Sequence, residues 1–252
     1  MGYGDEILAT AHAKWALQKS DPHYASATTR QKVGILDARG QRRWHELWEG
    51  VEYIARPDES SDLDIVNGPS DRLYYTGMRG NRIIWRRGAP RPGEIRLTDE
   101  ERAWAENETK DYGERFIVTE SRYKKQGGGG ANKRWPYWSE FFANRPDVVV
   151  YPMRDSPSFR HACAILERSG GYVGHEGGLH HAAAALGKRA VVIFGGYISP
   201  EVTGYDGHIN LYVPDPEYRL GCGTVTPCQH CKESMSEITV EQVITAVKDM
   251  IK

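Results

Sequence analysis

Residues 175–181 read His-Glu-Gly-Gly-Leu-His-His, which places three imidazoles and a carboxylate around two adjacent glycines. Side chains of these types can ligate a metal, move a proton or hold a polar ligand. The setting narrows the choice. An apolar run, "GYVG", precedes the stretch and a helix-forming run, "GLHHAAAALGK", follows it. Glycines let backbone approach a ligand closely, and the first N–H groups of a helix placed there would point at it, which suits a pyrophosphate. Glu176 would stand at the lip, able to accept hydrogen bonds from ribose or sugar hydroxyls. The alternative is a tight turn in which Glu176 only complements the helix dipole.

Three further stretches carry chemistry. In "KKQGGGGANKRWPYW" the glycines are not closed by Gly-Lys-[Ser/Thr], so this is no P-loop. Lys133, just before a helical pattern, is either a phosphate-pairing cation or a solvated lysine. Neither glycine-rich stretch contains G-x-G-x-x-G, which argues against a nicotinamide enzyme. In "GYGDEIL" Asp5 and Glu6 stand directly before a helix, as cap and dipole complement or as a general base at the cleft between domains. Cys222, Cys228 and Cys231 form C-x5-C-x2-C around His230. A structural zinc or iron site wants four ligands, and Cys163 or His208 could supply the fourth; otherwise the thiols pack against the C-terminal helix.

Residues 72 to 96 hold seven arginines (72, 79, 82, 86, 87, 91 and 96) against the single acid Glu94, with Tyr74, Tyr75 and Trp85 interleaved. Such a patch suits an anionic acceptor, DNA included, or is the solvated, charged face of an edge strand.

The elements that must position these residues follow from the pattern. With 252 residues the chain can form one large domain or two smaller ones. A net charge of −1 gives no general attraction to nucleic acid or membrane. No apolar run approaches the ~20 residues of a membrane span, the start is too polar for a signal peptide, and four cysteines do not make a secreted disulfide scaffold, so a cytoplasmic setting is expected. "GDEILATAHAKWALQKSDP" predicts a helix stopped by Ser-Asp-Pro, and "KVGILDAR" a buried strand. "RRWHELWEGVEYIA" predicts a helix or turn and then a strand, and residues 56–71 look irregular. "RLYYTG" and "NRIIWRR" predict short strands, and "TDEERAWAENETKDYG" a helix with a capping box. From "RFIVTE" onward, short apolar strands alternate with helices through "DVVVYPM", "SPSFRHACAILERSG", "GYVG", "GLHHAAAALGK" and "AVVIFGG", and "TVEQVITAVKDMI" closes the chain as a helix. That alternation predicts βαβ units and a parallel sheet. The compositional shift near residues 110–115 is the expected domain boundary.

Together these stretches resemble glycosyltransferase family 9, the ADP-heptose:lipopolysaccharide heptosyltransferases. "VGHEGGLHHAAAALGKRAVVIFGG" is similar to the family's strand, Gly-Asn-Asp-[Ser/Thr]-Gly-Leu-x-His-x-Ala, helix and strand, with Glu176 at the aspartate position, Gly177 at the Ser/Thr, and Gly178, Leu179 and His181 matching directly. "NKRWPYW" is similar to the family's Lys-x-Trp-Pro, "GYGDEIL" to its Gly-Asp turn, and the cysteine-bearing tail to its C-terminal ending.

The resemblance implies an α/β, GT-B-like fold, two Rossmann-like domains facing a central cleft. A reduced acceptor-side domain would span 1–113 and a nucleotide-sugar domain 114–235, with a C-terminal helix, 236–252, packing back across both. It implies a hexosyl or heptosyl transferase that is inverting, with Asp5 as general base. Thr119, Ser121, Lys133, Trp135, Met153, Glu176, Gly177, Gly178, Leu179 and His181 would contact the nucleotide-diphospho-sugar donor. Arg82, Arg86 and Arg87 would meet an acceptor glycan. No cofactor would be required, although some members carry iron at a cysteine cluster. The alternatives are a phage-type DNA-modifying glycosyltransferase using the arginine patch, and a non-catalytic nucleotide-sugar or glycan-binding module.

Overall fold

In the computed structural model of the chain, the described residues are 2–20, 31–88, 90–113, 115–121, 128–145, 147–153 and 156–252. The first part of the glycine-rich loop and the Asp21-Pro22 helix stop therefore lie outside them.

The second half is built as the alternation predicts. Five strands, β5 (Phe116–Thr119), β6 (Val149–Pro152), β7 (Tyr172–His175), β8 (Ala190–Ile193) and β9 (Ile209–Leu211), form one parallel sheet in the order β6-β5-β7-β8-β9. Strands β5, β7 and β8 are buried along their whole length, the mark of a parallel sheet covered on both faces. Alternate residues supply the two faces. Phe116, Val118, Tyr172, Ala190 and Val192 pack under α4 (Phe159–Arg168) and α5 (Gly178–Ala185). Ile117, Val173, Val191 and Ile193 pack under α3 (Trp138–Asn144) and α8 (Val240–Met250). The chain runs outward from β5 to β6 and then returns to the other side of β5, so the switch point lies between β5 and β7. In such sheets a ligand binds outside the carboxyl ends of the strands, at that switch point.

The first half is less regular. Helix α1 (Tyr3–Ser20) leads to β1 (Val33–Leu36), which pairs in parallel with β2 (Leu63–Val66). β2 lies in the stretch expected to be irregular; it is short, and polar at Asp64, which pairs with Arg42 at 2.9 Å. Of the helix or turn and the strand expected in residues 42–55, the structure has a short 3-10 turn at Glu46–Trp48 and isolated bridges from Leu36 to Arg42 and from Val33 to Ile54. β3 (Tyr75–Arg79) and β4 (Arg82–Trp85) form an antiparallel hairpin, and α2 (Asp99–Glu108) carries the predicted capping box between Thr98 and Glu101.

The two halves share one apolar core, running from Ile7, Val33 and Trp48 through Phe116, Ile165 and Leu179. The boundary expected at 113 falls between a 3-10 turn (Lys110–Tyr112) and β5. Across it, Glu101 of α2 holds Arg160 of α4 through two hydrogen bonds, at 2.5 and 2.8 Å. α8 packs on α3, β8 and β9, all from the second half. The remaining helices are α6 (Pro200–Thr203) and α7 (Gln229–Ser236). Among the described residues, no helix is long and apolar enough to cross a membrane.

Candidate active site

The carboxyl ends of β5, β6, β7 and β8 open into a cavity of about 1010 Å³. Glu120, Met153, Glu176 and Tyr197, just past those four strands, line it. Residues 156–159 and 177–179 bring the N-terminal ends of α4 and α5 to the same space. Two helix N-termini aimed at one cavity favour a negatively charged ligand, because their first amides have no acceptor within the helix. At Gly177 the backbone is extended, and a Cβ there would meet no atom within 4 Å, so the turn faces open space.

Lys133 supplies the cation. It ends a 3-10 segment (Gly128–Lys133) and forms an ion pair with Glu176, while its ammonium lies 5.1 Å from the Tyr197 ring centre. Burial alone would raise the Glu176 carboxyl, but Lys133, and then His181, outweigh it and hold Glu176 well below the ordinary carboxylate range. Glu176 is therefore an anion at neutral pH. The His181 Nε2 stands 3.6 Å from it, and the other ring nitrogen contacts the Tyr205 hydroxyl at 2.8 Å.

The two other histidines of the stretch turn away from this role. His175 accepts the Trp135 amide at 3.0 Å, which pins the segment carrying Lys133 to β7. Burial lowers its pKa to about 3, with Lys133 adding to the effect, so it is neutral. His180 is fully buried against Phe194, Tyr205 and His208, and neither ring nitrogen has a hydrogen-bond partner among the described residues.

Asp5 reaches the same cavity from the opposite side, in the first turn of α1. It receives a hydrogen bond from the Tyr74 hydroxyl, an ion pair from Arg72 at 3.2 Å and the Gly2 amide at 3.0 Å. Burial and the Asp5 charge raise Tyr74 well above its usual range, so its phenol remains a donor. Glu6 points elsewhere, paired with Arg43 at 2.5 Å. Helix α1 comes this close because Gly4 has no side chain: a Cβ there would stand 2.5 Å from the His181 ring. The hairpin behind Tyr74 docks on the second half through Trp85, whose indole N–H donates to the Tyr197 carbonyl at 2.9 Å.

Of the residues singled out in the sequence, the structure brings Asp5, Lys133, Met153, Glu176, Gly177, Gly178, Leu179 and His181 to one cavity. Thr119 is buried at the end of β5, and neither it nor Ser121 lines the space. Trp135 is buried too, its indole donating to the Ile238 carbonyl at 2.7 Å, which makes it an anchor to the segment before α8. Arg82, Arg86 and Arg87 lie on and after β4, outside this cavity. Arg82 donates to the Tyr218 hydroxyl at 2.9 Å and Arg87 pairs with Glu201 at 2.6 Å. Arg72, Tyr74, Glu120 and Tyr197 line the cavity without having been singled out for it.

A second cluster lies behind the Tyr197 wall. Ligand atoms of Cys222, Cys228, His230 and Cys231 all fall within 4.8 Å of one another, so this Cys/His group can hold a metal. His230 is the fourth donor; Cys163 is buried in α4, and His208 packs beside His180. Asp215 binds the other nitrogen of the His230 ring, the usual way an outer carboxylate orients a metal-binding imidazole. Asn132, next to Lys133, accepts the Cys228 amide at 2.9 Å and donates to the carbonyls of Thr224 and Thr226. The cysteine loop thus braces the cation of the site.

No protein-family model and no curated protein matches the sequence. Among solved structures, a glycosyl transferase family 9 protein from Veillonella parvula superposes on all of this chain and 95% of its own, with a TM-score of 0.63 at 15% identity. The chain also aligns with E. coli ADP-heptose lps heptosyltransferase II (15% identity, 91% of this chain and 72% of that one, TM-score 0.46) and with the iron-containing dodecameric glycosyltransferase TibC of enterotoxigenic E. coli (14%, 78% and 64%, 0.45). The fold is α/β and GT-B-like, that of the family 9 glycosyltransferase.

Proposed function

We propose that the chain is a glycosyltransferase that moves a sugar from a nucleotide-diphospho-sugar to an acceptor hydroxyl, with Asp5 as the general base. One observation carries this reading: a single cavity is lined by a carboxylate from α1, by a lysine and by two helix N-termini. The diphosphate would take the amides of Gly177, Gly178 and Leu179 and the Lys133 ammonium, with Glu176 accepting from ribose or sugar hydroxyls. Asp5, oriented by Tyr74 and Arg72, would take the proton from the acceptor hydroxyl. The acceptor oxygen then bonds to the anomeric carbon as the bond from that carbon to the diphosphate oxygen breaks, in line and with inversion. The departing electron pair stays on the nucleotide diphosphate, where Lys133 and the helix amides stabilise it. By the sequence resemblance the donor is ADP-heptose, used in the cytoplasm. A DNA acceptor finds no support, since Arg82 and Arg87 are engaged within the protein.

A panel of nucleotide sugars tests donor binding, because a ligand that binds only the folded chain raises its melting temperature. ADP-heptose should give a shift, and Lys133→Ala should reduce it by at least tenfold in affinity; unchanged affinity removes Lys133 from the site.

We further propose that Cys222, Cys228, Cys231 and His230 hold one zinc or iron ion. Three thiols and an imidazole suit the tetrahedral geometry of either metal. The ion would lock the loop that braces Asn132 and so Lys133, a structural role. Elemental analysis of the purified chain should find close to one metal per chain, lost in Cys228→Ser; a metal-free chain with unaltered stability removes the site.

A further inference from the structure

A second, smaller cavity opens on the far side of Asp5. It measures about 300 Å³ and shares Asp5, Arg72 and Tyr74 with the larger one, so the proposed base stands where the two meet. Its floor is one stripe of α1. Asp5, Leu8, His12 and Trp15, three, four and three residues apart, fall on the same face of the helix. Ala9 and Ala11 flank the stripe with small side chains, and Leu73, Pro90 and Val202 close the space from the other side. The walls are thus mostly carbon, in contrast to the polar cavity that faces Lys133.

The charges at its edge are engaged or exposed. Arg72 is paired with Asp5, while Asp71 and Arg91 lie at the surface. Burial lowers the pKa of His12, so that ring is neutral at pH 7. Two buried donors remain without a partner among the described residues, Arg72 Nε and Asn67 Nδ2. Asn67 is 7% exposed and lines the cavity. Buried donors are seldom left unmade, and an oxygen on a ligand would complete that of Asn67.

We infer that this cavity seats part of the acceptor, and that the acceptor is a hydroxyl compound bearing one uncharged aromatic ring, which the cavity holds, with an oxygen placed for Asn67. The inference rests on the reading of the chain as a glycosyltransferase with Asp5 as base. Its geometry follows from that role: donor on one side of Asp5, acceptor on the other, and the reacting hydroxyl at the junction. The volume is at the small end of ligand pockets and fits one ring system rather than an extended chain.

Calorimetric titration of the whole chain with phenyl β-D-glucoside, methyl β-D-glucoside and, separately, ADP tests it. The phenyl glucoside should bind at least tenfold more tightly than the methyl glucoside. Ala11→Phe, which fills the cavity, and Trp15→Glu, which places a charge in it, should each remove that preference while ADP affinity stays within twofold, which also reports that the variants fold. Equal affinity of the two glucosides, or a preference that survives both substitutions, overturns the acceptor assignment alone. Failure of the unaltered chain to bind ADP, or any other nucleoside diphosphate tried in its place, overturns the glycosyltransferase reading on which the assignment rests.

Discussion

Gly177 and His180, three residues apart, show how neighbouring positions can serve opposite ends. At Gly177 an added methyl group would meet nothing, and the extended backbone there accepts any residue, so Gly177→Ala should leave stability within about 0.5 kcal/mol of the parent, as for a surface change. If the diphosphate lies against that turn, the same methyl group should weaken nucleotide-diphosphate affinity by at least tenfold; intact affinity would mean the ligand binds elsewhere. His180 is the reverse case, a polar ring enclosed without partners. His180→Leu should therefore be neutral or stabilising at pH 7, since replacing an unmatched buried polar group by an apolar one removes its desolvation cost. Thermal unfolding of the two proteins side by side decides this, and a large loss on substitution would show that His180 has a partner in solution. The Lys133–Glu176 pair is different again, because taking away one member leaves a buried charge. Such losses run to about 3–5 kcal/mol, so the effect of Lys133→Ala on binding has to be read at a temperature where the variant is folded.

At the scale of elements, the sheet was legible and its partners were not. β5, β7 and β8 are short, apolar but for Thr119 and His175 at the ends of the first two, and separated by helices, a pattern with few other readings, and the glycine turn between β7 and α5 followed from it. β2 escaped because a four-residue strand with an aspartate in it looks like a loop until β1 is beside it. The hairpin β3–β4 was visible as two strands, but its docking was not. The Trp85–Tyr197 hydrogen bond joins residues 112 apart, and Tyr74 meets Asp5 across 69. Neither separation leaves a local trace in the sequence. Gly223 marks the same docking surface: its φ is +64°, and a Cβ there would run into the Ile83 carbonyl at 2.0 Å, so the chain closes on the hairpin only with glycine at that position. Among the residues that line the larger cavity, those next to glycines or just past strand ends were readable, whereas Arg72 and Tyr74 looked like members of an exposed basic patch. The family resemblance sets Trp135 at the donor; in the structure its indole is buried and anchored to the Ile238 carbonyl, which only burial reveals.

The whole molecule has an acid sensitivity built into its core. His175 and His208 are held at about 3 and about 4, and His180 well below the ordinary 6.5, in each case first by burial. The folded chain therefore binds fewer protons than the unfolded one below pH 6.5. The stability these groups allow is complete above that pH and is lost as pH falls through it, by about 1.4 kcal/mol per pH unit for each such histidine. Glu176 acts in the same direction at lower pH, since its depressed carboxyl is stabilising only while ionised. Denaturant unfolding followed from pH 7 to pH 5 should show a steep loss, shallower by about one histidine's share in His180→Leu; a flat profile would mean that these rings are solvated. Above this background stands the claim that one cavity joins a base on α1 to a donor site on the sheet. Its most direct test is the rate of nucleoside diphosphate release from a bound nucleotide sugar, in the presence of a hydroxyl acceptor, for the parent and for Asp5→Asn. The predicted result is a fall of about 10²–10⁴-fold in rate with donor affinity unchanged. Near-parental turnover in Asp5→Asn, or no turnover by the parent with any nucleotide sugar it binds, would contradict it.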